Sequence, residues 1–368
     1  MIRYSLFFLF IGTHSFSFSQ SREKLKERSF NSDNFKQFIV EIKTGKKDKA
    51  TDIHYKAANF IDGRADSSKL GFTLAGASED VEYHNIIFPK PAAAYLNEKA
   101  SSLMNADDKK TGQLVFVLKH LWVTERIIKA PYLKSIVTGP VNYLSLCYVN
   151  SDCYSIEGGQ YVYLGNIDTV VSFKRWLVGS ADELLKKTLV NLIIIGDSLS
   201  MSVGKRPAGF SHDELIAKIR AGFNFPILQA SAPEKGVYYS YNDFLDNKPS
   251  VTEFTVVKEK KKEILSSPGV PDTIINKAWG YFDGTDIQVH INNNYYRMSR
   301  HQNTFEVAGP RTLDKFFGTA DKILNASINI FFGAFAEAGV SLLMMGSDNK
   351  ILKELVPYQL NIRDGLVY

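Results

Sequence analysis

Residues 189–204 read LVNLIIIGDSLSMSVG, and their conformation decides the fold. As a buried strand followed by a tight turn, they would lift Ser198 out of a parallel sheet. As a helix, they make Ser198 one more residue on a helical surface. The flanking sequence favours the helix. Ser180 and Glu183 form a capping box just before the apolar residues begin. Leu184, Leu185, Thr188, Leu189, Leu192, Ile193, Ile195 and Leu199 then recur mostly in steps of three and four. Lys186, Lys187 and Asn191 take the wet side. The pattern predicts a helix from about 181 to 200, with Ser198 in its last turn.

Working outward, the segment before it is rich in strand signals. FKQFIVEIKTG and KLGFTLAGAS read as strands, and Pro91 opens a helix over PAAAYL. In GQLVFVLKHLWVTERI, Leu114, Phe116 and Leu118 alternate with Val115, Val117 and Lys119. Both faces are apolar at first, so this strand is central. YLSLCYVN and QYVYLGNIDTVVSF follow as further strands. Downstream, FSHDELIAKIRAGF carries a second capping box, Ser211 with Glu214. VYYSYNDFL and TEFTVVK then read as strands, and Asp283-Gly284 marks a hairpin. Asn292-Asn293-Asn294 turns the chain again, and QNTFEVAG is another strand. The pattern over 236–309 is an antiparallel meander with one face packed and one wet.

The expected fold class is α+β: an N-terminal α/β sandwich, then helices, then a C-terminal antiparallel β meander. The expected boundaries are a signal peptide at 1–19 and a flexible basic segment at 20–35. A sandwich domain covers 36–178 and a helical connector 179–234. The β module spans 235–310, an apolar helical segment 311–346, and a strand and tail 347–368.

The chain has 368 residues, 45% of them hydrophobic and 23% charged, which is a globular composition. Its formal net charge of +5 is modest and selects no partner. The basic run KEKKKE, residues 258–263, reads as solvated surface. No aromatic-rich basic motif accompanies it, so no nucleic-acid partner is expected. MIRYSLFFLFIGTHSFSFSQ has the three-part layout of a secretory signal: Arg3, a short apolar run, then small residues. Cleavage is expected after Ser19, which places the protein in the periplasm or at the cell surface. Residues 326–345, ASINIFFGAFAEAGVSLLMM, have the length of a membrane span, but Glu337 near the middle opposes insertion. A buried helix or helical hairpin is expected there, and this segment is the one candidate for membrane contact.

Export bears on the two cysteines. If Val149-Asn150-Ser151 is a tight turn, Cys147 and Cys153 face each other across a hairpin. They then either close a disulfide or, because closely paired strands strain such a bond, stay as thiols. His54, His84, His120, His212 and His301 show no metal-ligand spacing, so no metal or cofactor is expected. Tyr239, Tyr241, Tyr295 and Tyr296 are candidates for an aromatic face that binds a glycan or an envelope protein.

Gly196-Asp197-Ser198-Leu199-Ser200 is similar to the first block of the GDSL-type serine hydrolases. Ser240-Tyr241-Asn242-Asp243 resembles their G-x-N-D block, with Ser for Gly. Asp286 to His290 resembles D-x-x-H with one residue too many. The resemblance implies a nucleophile at Ser198, an oxyanion-hole donor at Asn242 and a base at His290 oriented by Asp286. The block lies past the middle of the chain rather than at the start of a domain. Too few residues separate Ser198 from His290 for alternating strands and helices. The helical spacing makes Ser198 a helix-end residue, so no catalytic residue is expected and the esterase stands as an alternative.

A second resemblance covers the last third of the chain. KGVYYSYNDFLDNKPS (235–250), KAWGYFDGTDIQVHINNNYYRM (277–298) and QNTFEVAG (302–309) are similar to a pattern in uncharacterised secreted envelope proteins of Bacteroidota-type bacteria. It implies an envelope location and brings no activity. The expected function is therefore a secreted or periplasmic, non-enzymatic envelope protein with a binding or structural role. The other alternative is a membrane-associated assembly factor.

Overall fold

The computed structural model describes residues 32–45, 51–75, 82–105, 109–128, 142–175, 181–202, 208–259, 262–291, 294–310 and 355–363. The expected signal peptide, the apolar segment 326–345 and the Ser180 cap lie outside them. Among the described residues, no helix is long and apolar enough to cross a membrane.

The first sheet has seven strands: β1 (Lys36–Ile39), β2 (Ala57–Asp62), β3 (Gly71–Ala75), β4 (Glu82–Ile87), β5 (Gln113–Ile128), β6 (Asn142–Glu157) and β7 (Gln160–Arg175). Their order is β1-β4-β3-β5-β6-β7, with β2 also paired to β5. One edge of β5 thus serves two neighbours end to end. Ala57–Asp62 pairs with Gln113–Leu118, while Gly71 and Phe72 pair with Val123 and Thr124. The second junction requires glycine. Gly71 has φ +135°, and a Cβ there would stand 1.8 Å from the Val123 carbonyl oxygen. β6 and β7 turn at Gly158-Gly159, both at positive φ, as a tight hairpin requires.

Helices α1 (Ala92–Leu103) and α2 (Ala181–Ser202) pack on one face of this sheet. Leu114, Phe116 and Leu118 of β5 point into that core, together with Leu184, Leu189, Leu192 and Ile193 of α2. Val115 and Val117 point to the other face, where Leu215 of α3 (His212–Ala221) covers them. β5 is buried on both faces, as its composition indicates, and α3 begins at the Ser211–Glu214 capping box. α2 is no connector: its buried face completes the first core.

Further along the chain lie α4 (Pro226–Gln229), β8 (Gly236–Tyr238), α5 (Tyr241–Leu245), β9 (Thr255–Glu259), β10 (Lys262–Ser266) and α6 (Asp272–Ile275). β11 (Gly280–Phe282), β12 (Ile287–Ile291), β13 (Asn294–His301), β14 (Thr304–Pro310) and β15 (Leu355–Leu360) follow. The second sheet runs β15-β14-β13-β12-β11-β8, and every neighbouring pair is antiparallel. The α+β class and the C-terminal antiparallel meander are both present. One face holds Phe282, Val289, Met298, Phe305, Val307 and Leu360, covered by α4 and α5 through Leu228 and Phe244.

Three expectations are corrected. Cys147 and Cys153 do not face each other, and both are free and buried. Val149-Asn150-Ser151 is no turn but the middle of the 16-residue β6, so the two cysteines are six positions apart on one strand. That is roughly 20 Å at ~3.3 Å per residue, far beyond a disulfide. Burial pushes both thiols up to about 12. Second, VYYSYNDFL is not one strand. It breaks after Tyr238 because Ser240 and Asp243 form a capping box that starts α5. Third, the supposed wet face of the second sheet is buried at β14 and β15: Thr304, Glu306 and Gln359 are all shielded.

Candidate functional site

The residues of the serine motif are held by the fold itself. Gly196 lets α2 approach the first sheet closely. A Cβ there would lie 2.6 Å from Cζ of the buried Phe116 and 3.1 Å from the Cys153 sulfur. Asp197, buried, accepts from the His54 backbone N–H at 2.9 Å and meets the His54 Nδ1 at 3.0 Å. It ties the approach to β2 onto α2. Ser198 is exposed, and its hydroxyl donates to the Ile194 carbonyl one turn back at 2.9 Å. Leu199 packs against Gly165 of β7.

The other motif positions belong to the second sheet, and each has its own partner. Asn242 is exposed within the short α5, and its carbonyl accepts from the Asp246 N–H at 2.9 Å. Asp286 forms an ion pair with Arg297 across β12 and β13. The His290 N–H donates to the Trp279 carbonyl at 2.7 Å, and its ring stacks on Tyr295 at 4.9 Å. Burial lowers the His290 pKa. Asp286 and His290 therefore do not pair with each other. Ser198 sits on a helix of the first core, and among the described residues Asn242, Asp286 and His290 are not brought to it.

The four candidate aromatics are half-buried and split between two sides. Tyr241 and Tyr296 pack against the apolar face of the second sheet, and the Tyr241 hydroxyl donates to the Ile362 carbonyl at 2.6 Å. Tyr239 and Tyr295 join Val237, Leu265 and Tyr281 on the opposite side. Burial, then the Glu263 charge, pushes the Tyr295 hydroxyl up to about 12. Consecutive strand residues point to opposite faces, so Tyr295 and Tyr296 do not share a surface.

The polar chemistry gathers instead between the two sheets. The loop from β2 to β3 supplies Arg64, Asp66, Ser68 and Lys69. Arg64 clamps Asp62 with two bonds of 2.8 Å and donates to the Lys69 carbonyl at 2.9 Å. Lys69, with its side chain 3% exposed, pairs with Glu306 of β14 and donates to the Ser32 hydroxyl. Asp66 Oδ1 accepts from the Ser68 N–H at 2.8 Å and the Ser68 hydroxyl at 2.6 Å. Its Oδ2 faces Gln359 Nε2 at 3.5 Å and His301 Nε2 at 3.6 Å. The other ring nitrogen of His301, Nδ1, lies 3.2 Å from an Asp33 oxygen. Arg363 closes one end, donating to the Gly63 carbonyl at 3.2 Å and covering the Phe223 ring. Beside this seam, burial and then the Arg64 charge push His120 down to about 3, so it stays neutral.

None of these seam residues carries a spacing signal. Asp33 and Asp66 sit in polar stretches, and Glu306 alternates with Phe305 and Val307 as any half-wet strand residue would. The one legible trace is Asp66-Ser67-Ser68, an Asx-turn pattern.

No family model matches the chain, and no curated protein matches it. Among solved structures, it is similar to the crystal structure of protein XCC0632 from Xanthomonas campestris, described under the family model DUF330. That match has a TM-score of 0.25 and 10% identity, covering 45% of this chain and 96% of the other. A likeness at that level carries no argument about fold or activity.

Proposed function

We propose that this protein is an exported, non-enzymatic component of the cell envelope, with a binding or structural role toward an envelope protein or a glycan. The observation that carries this reading is the Ser198 hydroxyl bonded to the Ile194 carbonyl within α2. The sequence feature that most suggests catalysis is accounted for by helix packing and tethering. Asn242, Asp286 and His290 serve the second sheet locally, as described above. The secretory layout of residues 1–20 and the KGVYYSYNDFLDNKPS and WGYFDG pattern support the envelope location.

The test is covalent labelling with a fluorophosphonate on the purified protein and on Ser198→Ala. The expected result is no labelling of either. Labelling that disappears in Ser198→Ala would make the chain a serine hydrolase and sink this reading. Cell fractionation checks the location: recovery in the cytoplasm would reject export. Carbonate extraction separates a released envelope protein from a membrane-held assembly factor.

A further inference from the structure

We propose that Asp66, His301 and Glu306 form a site for a divalent transition cation of the zinc type, clamping the first sheet to the second. This goes beyond the envelope reading and does not rest on it. The three residues each present a ligand atom, all within 4.8 Å of one another. One imidazole and two carboxylates are a donor set that zinc accepts, at about 2.0–2.2 Å per bond. Two ligands on a tetrahedral ion at those lengths stand roughly 3.4 Å apart. His301 Nε2 and Asp66 Oδ2 are 3.6 Å apart, too far for a hydrogen bond and close to that span.

The surroundings point the same way. The Asp33 carboxylate lies 3.2 Å from Nδ1, where it can accept from an Nδ1–H, the tautomer that leaves the Nε2 lone pair facing Asp66. Metal-ligating histidines are oriented by this kind of second carboxylate. Ser68 has a single hydroxyl proton, and the 2.6 Å contact to Asp66 Oδ1 takes it. In that tautomer the 3.2 Å contact between Ser68 Oγ and His301 Nε2 has no donor proton. The Asp66 side chain is 0% exposed and that of Glu306 is 2% exposed. Buried carboxylates are costly unless a cation answers them. Lys69 answers Glu306, though its ion pair to Oε1 lies outside hydrogen-bond geometry. Among the described residues, Asp66 Oδ2 meets Gln359 and His301 at 3.5 and 3.6 Å. A cation between Asp66, His301 and Glu306 answers the Asp66 carboxylate, which meets no lysine or arginine among the described residues, while Glu306 also pairs with Lys69.

The experiment uses the purified chain, treated with EDTA, dialysed and titrated with zinc sulfate near neutral pH. Calorimetry gives affinity, elemental analysis gives stoichiometry, and thermal unfolding gives the stabilisation. One zinc per chain and a higher unfolding temperature are expected. His301→Ala should abolish both while leaving the circular dichroism spectrum unchanged. Asp33→Asn, which touches no metal, should weaken zinc about 10–100-fold. Absence of stoichiometric zinc in the wild type overturns the proposal. So does equal zinc binding by wild type and His301→Ala, which would place the ion elsewhere. Nitrogen NMR of His301 supplies a readout that needs no variant. A ring carrying both protons with zinc present rejects the site, because a proton would then be the balancing cation.

Discussion

β14 and β15 present two faces that lose water equally and are held by different physics. Phe305 and Glu306 are neighbours in sequence, and each is 1% exposed. Phe305, Val307, Tyr358 and Leu360 enter an apolar cluster, where burial stabilises at about 25 cal/mol per Å² whatever the exact neighbour. Thr304, Glu306 and Gln359 enter the seam, where each group must meet a particular partner before burial stops costing free energy. The apolar face tolerates approximate complements. The polar face asks for particular partners, which the β2–β3 loop supplies through Lys69 and Asp66.

Replacing either neighbour tests this contrast most strongly. With EDTA present, Phe305→Ala and Glu306→Ala should each cost about 3–5 kcal/mol in urea unfolding. The causes differ: one leaves a cavity, the other leaves Lys69 buried and unpaired. The double change Lys69→Met with Glu306→Leu should therefore recover most of the loss. A double variant as unstable as Glu306→Ala would break the contrast.

The next effect is a pH slope. His120 is held neutral down to about 3 in the folded chain, against about 6.5 when unfolded. Between those values the unfolded state binds the extra proton. Stability from this group is complete above about 6.5 and falls by about 1.4 kcal/mol per pH unit as the medium is acidified. His120→Gln should remove that component, so the difference between the two acid-unfolding curves isolates it. Parallel curves would place His120 in a wetter setting.

Smaller effects sharpen the same contrast on α2. Gly196→Ala must push aside the buried Phe116 ring, and should cost about 1–3 kcal/mol despite a better helix former. Ser198→Ala, two residues on and exposed, should change stability by no more than about 0.5 kcal/mol. Thermal unfolding of the pair separates packing from surface; equal losses would reject the helix orientation.

Much of this was legible because it is local. The three- and four-residue steps of 184–199 give α2, the Ser211–Glu214 box gives α3, and the two-sided apolar run at 114–117 gives the central β5. The serine motif is hard to read from sequence because helix packing here uses the same Gly196 and Asp197 that a nucleophile turn would. The turn inferred at Val149-Asn150-Ser151 fails because adjacent polar residues inside a 16-residue strand look like a break when the flanking strands cannot be seen. The seam was invisible for another reason. Glu306 and Gln359 alternate with apolar residues as solvent-facing residues do, and only the β2–β3 loop, far away in sequence, shows that they are covered.

That separation shapes how the molecule comes apart. Gln359 reaches Asp66 across 293 residues, and Arg363 reaches Gly63 across 300. Loop closure over such lengths grows slowly in free energy, about 0.6 kcal/mol per doubling. Contacts made after the rate-limiting step leave refolding speed untouched and act on the reverse rate. A seam formed after that step acts as a brake on unfolding, so Glu306→Ala is expected to speed unfolding and leave the refolding rate unchanged in stopped-flow measurements.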